Sequence, residues 1–483
     1  MEALLAYIPI EASLMQLISA EQAWHYRIVP QASTPTALHF YVDAAIETTS
    51  LVDELEVALG QGVQLEPADS QRIERTLNKY FLRQAARPTT PEQAKLVTGP
   101  GSSSEDFLFR LIQEARELRS SDIHIESYAE KARVRIRVDG LLLERYHLPR
   151  TEYPALINRV KIMAGLDIAE KRLPQDGRIF FANGQQKIDI RVSVVPTLHG
   201  EKVVLRLLSN DATNIDLNTM GLRPADLRSY LEGVRRPTGL ILISGPTGSG
   251  KTTTLYATLK LLNKESRNIL TIEDPIEYTL EGINQVQLRE NIGLNFAAAL
   301  RTFLRQDPDI IMVGEIRDPE TASMAIRAAL TGHLVLSTIH TNSAWGTVSR
   351  LIDMGIPAYM VANTLNTSVA QRLLRLLCPE CRRAEAFNPD LYPRRFRPFR
   401  LVTKHYLSVG CPACYYTGYR GRKAVYEVIS LDSELADYLK NQNLNVSDLL
   451  RERGITSLAE NAFSLFEQGD TTLDEVYPLL FDL

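Results

Sequence analysis

The sequence predicts an α/β protein of several domains, with a mostly parallel sheet that is covered by helices on both faces. A length of 483 residues corresponds to about three domains at roughly 100–200 residues each. From about residue 212 to residue 375, short apolar strands alternate with helices, which is typical of such sheets. One of these strands leads into a glycine-rich loop that opens a helix, which favours the same fold class.

Composition excludes several classes of protein. Hydrophobic residues make up 45% of the chain and charged residues 23%, which is ordinary for a globular protein and excludes a mainly disordered chain. The longest apolar runs, such as 240–243 and 310–313, are shorter than the ~18–20 residues that cross a bilayer. Residues 1–13 lack the basic start of a signal peptide. A net charge of −4 disfavours a polyanion-binding protein. We therefore expect a cytosolic protein.

Residues 1–83 are predicted to form a small α/β front module. Its first strand is expected to stop at Pro30, because proline cannot donate a hydrogen bond to a neighbouring strand. Residues 84–105 are rich in Pro, Thr, Ser and Gly and lack apolar periodicity, so we interpret them as a linker. The elements predicted in the module are strands at 26–29 and 37–42 and helices at 51–59 and 70–82.

A second, α+β domain is predicted at 106–211. It begins with a helix at 106, contains another at 153–164, and has strands at 133–138, 178–182, 187–194 and 202–208. The strands carry a row of arginines. Such a row is either a solvated sheet face or, beside a nucleotide domain, a surface for phosphate or a partner. The arginines are Arg133, Arg135, Arg137, Arg178, Arg191 and Arg206.

The strongest signal lies in the domain predicted at 212–376. Between an apolar strand and a helix at 252–263, the chain matches the P-loop pattern G-x-x-x-x-G-K-[ST]. The matching residues are Gly245, Pro246, Thr247, Gly248, Ser249, Gly250, Lys251 and Thr252. Backbone N–H groups of this loop are expected to bind phosphate. Lys251 is expected to reach the β- and γ-phosphates of ATP, and the hydroxyl of Thr252 to ligate Mg²⁺. Thr253 completes the predicted nucleotide site.

Two acidic strand ends are predicted near this loop. Glu273 ends the strand 269–273, which we expect beside the P-loop strand, and it is the predicted group that orients or deprotonates the attacking water. The alternative for Glu273 is an ordinary turn acid. Glu315 ends the strand 310–313 in the position of a Walker B acid, so we expect it to support Mg²⁺ or its waters. The alternative for Glu315 is a plain charged turn.

Two histidines bracket the apolar strand 334–339. His340 ends this strand and is predicted to sense the γ-phosphate through a hydrogen bond. His333 precedes the strand and is a second candidate for the same role. A satisfied structural histidine is the alternative for each.

Four cysteines form two Cys-x-x-Cys pairs: Cys378 with Cys381, and Cys411 with Cys414. Four thiolates suit tetrahedral Zn²⁺ with no open position, so we predict a structural zinc module at 377–422. A redox role for one pair is the alternative. The basic and aromatic stretch 393–400 is either a solvated loop or a docking surface. A helical segment is predicted at 423–483.

Together these motifs resemble the secretion-superfamily ATPases of the type II secretion and type IV pilus assembly branch (the GspE/PilB family), over essentially the whole chain. The resemblance implies a RecA-like P-loop ATPase core, a PAS-like character for the α+β domain and a tetracysteine zinc module. The motifs, in the family's order, are SDIHIE (121–126), LPQDGR (173–178), HGEKVVLR (199–206), GPTGSGKTTTLY (245–256), TIEDPIEY (271–278), FLRQDPDIIMVGEIRD (303–318), TGHLVLSTIHTNSA (331–344), the two cysteine pairs and TGYRGR (417–422).

The resemblance also implies a cytosolic homo-hexamer, peripheral to the inner membrane, that hydrolyses ATP with Mg²⁺. In such proteins this drives assembly of a pilus or pseudopilus through an inner-membrane platform protein. Nucleotide then lies between the α+β domain and the ATPase core, where basic residues complete the site. The candidate arginines are Arg135, Arg178, Arg191, Arg301 and Arg317.

The front module departs from many family members because it is short and lacks a duplicated Arg-Leu-Gly pattern. We therefore expect it to dock on a membrane-anchored partner rather than to bind a cyclic dinucleotide. A nucleic-acid motor is disfavoured by the net charge and by the absence of aromatic-basic repeats. A retraction-type ATPase would lack the cysteine module, and a non-catalytic scaffold would not need the P-loop and its acids. The choice between type II secretion and pilus assembly stays open.

Overall fold

The computed structural model of the protein describes residues 8, 10, 14, 17–18, 20–34, 37–46, 48–59, 61–80, 95–96, 104–183, 186–208, 216–393, 395–441 and 443–481. The chain divides into two compact units, Met1–Thr90 and Pro91–Leu483. In the part of the chain so described, no helix is both long enough and apolar enough to cross a membrane.

The first unit has a three-stranded sheet. Its central strand pairs antiparallel with one neighbour and parallel with the other, and Phe40, Ile28, Leu55 and Leu77 pack in its core. The predicted helices are confirmed, although residues 81–82 lie outside the described residues. The elements are α1 (Ala20–Tyr26), β1 (Ile28–Ser33), β2 (Ala37–Asp43), α2 (Thr49–Leu59), β3 (Gly62–Ala68) and α3 (Ser70–Tyr80).

The prediction for the first strand was wrong at both ends. Tyr26 closes helix α1, and β1 continues past Pro30 to Ser33. The register with β2 shifts between Pro30 and Ala32, which indicates a β-bulge. A proline is tolerated here because β1 is an edge strand, whose outward N–H groups need no partner strand.

The second unit begins with a seven-stranded sheet in the order β4-β7-β6-β5-β10-β9-β8. All neighbouring pairs are antiparallel except β4 with β7. Leu108, Ile112 and Val160 of the two helices pack on one face of this sheet. Its elements are β4 (Lys95–Leu96), α4 (Ser104–Glu117), β5 (Asp122–Ser127), β6 (Ala132–Val138), β7 (Leu141–Leu148), α5 (Tyr153–Met163), β8 (Gln175–Asn183), β9 (Gln186–Thr197) and β10 (Gly200–Leu208).

The predicted linker 84–105 is wrong at two points. Residues 95–96 form β4 and pair with β7, and helix α4 already begins at Ser104. A short β-pair of this kind depends on the partner strand rather than on local composition. The other residues of the predicted linker lie outside the described residues.

A second seven-stranded sheet follows, in the order β13-β12-β14-β15-β11-β16-β19. Neighbours are parallel except for the last pair, so the predicted mostly parallel sheet is confirmed. Its elements begin with α6 (Pro224–Arg235), β11 (Gly239–Ser244), α7 (Lys251–Leu262), β12 (Ile269–Glu273), β13 (Asn284–Gln287), α8 (Phe296–Phe303), β14 (Ile310–Val313), α9 (Pro319–Leu330), β15 (Leu334–Ile339), α10 (Gly346–Asp353), α11 (Ala358–Thr364) and β16 (Leu365–Leu377).

The central strands β11, β12, β14 and β15 of this sheet are buried on both faces. Ile241 and Ile243 of β11 belong to one core with α6 and α7, whereas Leu240 and Leu242 belong to the core with α8 and α9. The expectation that β12 lies beside the P-loop strand was wrong, because β14 and β15 separate β12 from β11. Strands that follow each other in sequence are not always neighbours in an α/β sheet.

The C-terminal part corrects another prediction. The segment 423–483 is not helical throughout, because residues 423–430 belong to a long strand that pairs antiparallel with β16 as the sheet's edge. The elements are β17 (Arg383–Ala386), β18 (Lys404–Leu407), β19 (Tyr419–Ser430), α12 (Ser433–Lys440), α13 (Ser447–Glu452), α14 (Leu458–Glu467) and α15 (Leu473–Leu480). Single-turn 3₁₀ helices lie at Leu217–Thr219, Glu290–Ile292, Pro389–Leu391 and Pro412–Cys414.

Candidate nucleotide site and cysteine cluster

The glycine-rich loop connects the end of β11 to the start of α7. Gly248 and Gly250 have positive φ angles of 82° and 87°, a conformation that favours glycine. A Cβ atom at Gly245 would lie 2.5 Å from the backbone oxygen of Gln371, so a side chain would clash there. The loop therefore turns tightly into the N-terminus of α7, where backbone N–H groups and the helix dipole can bind an anion.

Lys251 is buried where this loop meets its helix. Its Nζ donates to the carbonyl oxygens of Gly245, at 2.8 Å, and Pro246, at 3.1 Å. The pKa of Lys251 is lowered, mainly because the side chain is buried and also because of the positive charge of Arg372. The negative charge of Glu315 acts in the opposite direction. The ammonium group therefore lies within the loop and in the field of Glu315, as a phosphate-binding lysine requires.

Glu315 lies at the centre of a small charged cluster. Its Oε1 pairs with the guanidinium of Arg317, and its Oε2 lies 3.5 Å from Nε2 of His340. These three residues and Arg350 line a cavity of about 260 Å³. The cluster forms because β14 and β15 are neighbouring parallel strands, whose carboxyl ends meet at one edge of the sheet.

Arg350 was not singled out from the sequence. It lies in α10 and belongs to no charged or glycine-rich motif, so only the packing of α10 brings it to the cavity that Glu315 also lines. His333, in contrast, was a candidate from the sequence but lies away from the site. Its Nδ1 lies 2.8 Å from the backbone oxygen of Ala328 at the end of α9. Because it precedes β15, it lies at the opposite edge of the sheet from His340, which corrects the expectation of a phosphate contact.

Glu273 is buried in a network of hydroxyl and amide donors. Its Oε1 accepts from Oγ1 of Thr271 at 2.6 Å and from Nε2 of Gln285 at 3.0 Å. Its Oε2 accepts from the phenol of Tyr256 on α7. The carboxylate is thus held on the α7 side of the sheet, below the loop 274–278 that follows β12.

Arg191 brings the α+β domain to that same loop. Its guanidinium donates to the backbone oxygen of Ile276 and lies 3.2 Å from Oε2 of Glu277. Of the five candidate arginines, Arg191 and Arg317 therefore contact residues next to the acidic strand ends. The other three pair with carboxylates of their own domain: Arg135 with Glu126, Arg178 with Asp189 and Arg301 with Glu320.

The arginine row is compensated by carboxylates on the same sheet face. Glu126 on β5 accepts hydrogen bonds from Arg133 and Arg135 and pairs with Lys202. Burial raises the pKa of Glu126, but these bonds outweigh burial and lower it to about 2. Asp122 pairs with Arg137 and Arg206 in the same way. The sequence predicts the row but not its partners, because the pairing depends on strand register.

The four cysteines converge as predicted. All four Sγ atoms lie within 4.8 Å of one another, with separations of 3.9 Å for Cys378–Cys411 and 3.7 Å for Cys381–Cys414. A tetrahedron with metal–sulfur bonds of about 2.3 Å places its sulfur atoms about 3.8 Å apart. The backbone N–H groups of Gly410 and Gly418 lie 3.3 Å from Sγ of Cys381 and Cys414 respectively. The donor set and its spacing fit a metal ion.

Residues 395–400 of the basic and aromatic stretch 393–400 pack against α14. The rings of Phe396 and Phe399 contact Phe463 of α14, with centroids 5.8 and 5.6 Å apart. Arg400 pairs with Glu467 of the same helix. The aromatic residues of this stretch therefore anchor the cysteine module to α14.

The parallel sheet, the glycine-rich loop with its lysine and the acidic end of β14 define a P-loop ATPase. The sequence model of the family described as Type II/IV secretion system protein matches residues 101–478. The chain belongs to this family, and it is an ATPase, as the resemblance predicted.

Two relatives and one solved structure illustrate the similarity. The type IV pilus assembly ATPase PilB of Myxococcus xanthus is 41% identical over 494 aligned residues, which cover 97% of this chain and 86% of that protein. The type II secretion system ATPase E of Vibrio cholerae is 45% identical over 371 residues, or 76% of this chain and 73% of that protein. The ATPase DotB of Legionella pneumophila shares the fold, with a TM-score of 0.61 and 24% identity over 81% of this chain and all of that chain.

Proposed function

We propose that this ATPase works as a homo-hexamer at the cytoplasmic face of the inner membrane, where ATP hydrolysis drives pseudopilus assembly in type II protein secretion. The observation that carries this proposal is the convergence of the P-loop, Glu315 and His340 at one sheet edge, with Arg191 of the α+β domain on the adjoining loop. A relative from Vibrio cholerae that is 45% identical has the name of a type II secretion ATPase.

Extension of a type IV pilus is the second candidate, with the same chemistry. It is favoured by the match to the pilus assembly ATPase of Myxococcus xanthus, which extends over 97% of this chain. Expressing the chain in bacteria that lack either a pilus assembly ATPase or a type II secretion ATPase, and scoring pili and secreted protein, distinguishes the two.

We assign the nucleotide chemistry to the following residues. The backbone of Gly245–Gly250, Lys251 and Thr253 bind the phosphates, and Thr252 and Glu315 hold Mg²⁺, which supplies charge neutralisation when bound. Glu273 orients the attacking water, and His340 contacts the γ-phosphate. Of the candidate arginines, we assign Arg191 and Arg317 to phosphate charge, and we leave Arg135, Arg178 and Arg301 in their ion pairs.

We further propose that the front module docks on a membrane-anchored partner and that the hexamer acts on an inner-membrane platform protein. The compact fold of the first unit supports a separate docking module. The net charge of −4 is consistent with a protein partner and gives no reason to expect nucleic acid.

Turnover is expected to depend on assembly. One chain carries the P-loop, but the arginine-bearing domain and a neighbouring subunit are expected to complete the charge around the triphosphate. We therefore expect ATPase activity per chain to rise steeply with protein concentration, and to rise further with acidic lipid and the platform protein. Hydrolysis measured across a dilution series, beside sedimentation of the same samples, checks this. A dilute monomer that is as fast as the assembled protein would contradict the hexameric motor.

We propose that the metal in the cysteine cluster is structural Zn²⁺. Freshly purified reduced protein is expected to contain about one Zn²⁺ per chain, and Cys381→Ser should lose this zinc and become sensitive to proteases around 378–422. Removing one thiolate from a closed site removes binding energy that is also folding energy. Elemental analysis and limited proteolysis measure both effects. As a control, Ser408→Ala changes a nearby polar residue outside the sulfur cluster. Full-length protein that is stable and free of zinc would contradict the assignment.

A further inference from the structure

Tyr256 of α7 is a buried tyrosine, 1% exposed, whose hydroxyl has two partners. It donates to Oε2 of Glu273, and it accepts from the backbone N–H of Glu277 at 3.3 Å. Its ring contacts that of Tyr278 edge-on, with centroids 4.5 Å apart. One hydroxyl thus connects the P-loop helix, the Glu273 carboxylate and the loop 274–278.

The same loop is held from its other side by the α+β domain. Arg191 contacts the backbone oxygen of Ile276 and the carboxylate of Glu277. The backbone N–H of Glu277 meets the phenol, and the side chain of Glu277 meets Arg191. The loop 274–278 therefore lies between Arg191 and Tyr256, with a single residue touching both.

We propose that Tyr256 is a positioning residue for ATP hydrolysis: its hydroxyl holds the Glu273 carboxylate in register with the loop that Arg191 contacts. The inference rests on the proposed role of Glu273 in orienting water. It adds the residue that connects the carboxylate of Glu273 to the loop contacted by the α+β domain. The hydroxyl of Tyr256 contacts the Glu273 carboxylate and the backbone N–H of Glu277, so Tyr256 acts through Glu273 and the loop rather than by touching the phosphates.

The surroundings of Glu273 allow the Tyr256 phenol to fix the position of the carboxylate. The groups that face the carboxylate are Tyr256 from α7, Thr271 from β12, Gln285 from β13, and Glu277 and Tyr278 from the loop. Burial and the charge of Glu273 raise the pKa of Tyr256, so the phenol keeps its proton and remains a donor. Removing the phenol leaves the buried carboxylate with one hydrogen-bond donor fewer, so that Thr271 and Gln285 alone fix its position.

Tyr256→Phe tests the inference, because it removes the hydroxyl and keeps the ring. We expect kcat to fall about 10-fold, since a misplaced catalytic group loses rate steeply, while the KM for ATP stays within about twofold. The matched control is Tyr230→Phe. Tyr230 of α6 is equally buried, and its hydroxyl lies 2.7 Å from Oγ1 of Thr258 on α7, the helix that carries Tyr256.

The Tyr230→Phe control should keep the wild-type kcat, and thermal unfolding should show similar stability losses for both variants. In a Glu273→Gln background, Tyr256→Phe should cause no further loss of kcat, because the two residues act as one unit. A Tyr256→Phe kcat that matches the Tyr230→Phe kcat would overturn the inference, and so would multiplicative losses in the double variant. If Glu273→Gln alone keeps wild-type turnover, the proposed role of Glu273 fails as well. If Glu273→Gln is inactive while Tyr256→Phe behaves like the control, only the inference fails.

Discussion

The Lys251→Ala variant is expected to lose ATP hydrolysis while it keeps its fold. The Nζ atom is held inside the P-loop by the carbonyl oxygens of Gly245 and Pro246, and it supplies much of the charge that neutralises the β- and γ-phosphates. We expect turnover to fall by at least about 100-fold, the scale for removing one preorganised group that stabilises transition-state charge. Phosphate release by the purified protein, with circular dichroism as the test of folding, measures both expectations.

A matched control for this variant is Lys260→Ala. Lys260 is an exposed lysine in the last turn of the same helix, α7, so its removal changes the net charge equally and leaves the loop intact. Its turnover should stay close to that of the wild type. Comparable losses in both variants would show that net charge or helix stability, rather than the P-loop ammonium, limits the reaction.

Replacing each of the two acidic residues, Glu315 and Glu273, by glutamine is expected to have the next largest effect on turnover. Glu315→Gln and Glu273→Gln each remove a charge and preserve shape, so each should lower turnover by about 100-fold or more. Only Glu315→Gln should also raise the Mg²⁺ concentration needed for half-maximal rate, because we assign metal support to Glu315. Its carboxylate lies within the field of Lys251 and next to His340. The Glu273 carboxylate is instead bound by Tyr256, Thr271 and Gln285.

Hydrolysis measured across a Mg²⁺ titration for both variants decides the assignment. Glu265→Gln, at an exposed acid in the loop after α7, serves as the control and should behave as the wild type. A metal defect in Glu273→Gln without one in Glu315→Gln would reverse the two roles.

Local signals predicted most of the elements that carry the site. The strands β11, β12, β14 and β15 are short, wholly buried and apolar, so composition identifies them without knowledge of their neighbours. The P-loop and the cysteine pairs are read in the same way, because each motif lies within a few residues of chain. The order of the strands is a different matter. Whether β12 neighbours β11 depends on the path of the chain across the sheet, and no local pattern records that path.

The unpredicted parts of the site are those created by register and packing. Arg350 lines the same cavity as Glu315 because α10 and β15 pack in one core. Tyr256 lies on a buried helix, and only the fold brings Glu273 of β12 to its hydroxyl. The arginine row shows the same limit. Its spacing is visible in the sequence, yet its pairing with Glu126 and Asp122 requires the antiparallel register of β5 with its neighbours.

The position of the cysteines beside the sheet would give a bound metal a second role. Strands β16 and β19 pair from Thr367 with Ser430 to Leu377 with Tyr419, and Cys378 and Cys414 lie next to the closing end of that pair. Pairing two strands across so long an excursion costs chain entropy that grows with the logarithm of the loop length. Four thiolates that bind one ion would close the same excursion at its base. A metal bound there therefore lowers the entropy cost of adding the last strand, which links metal availability to the formation of the ATPase sheet's edge.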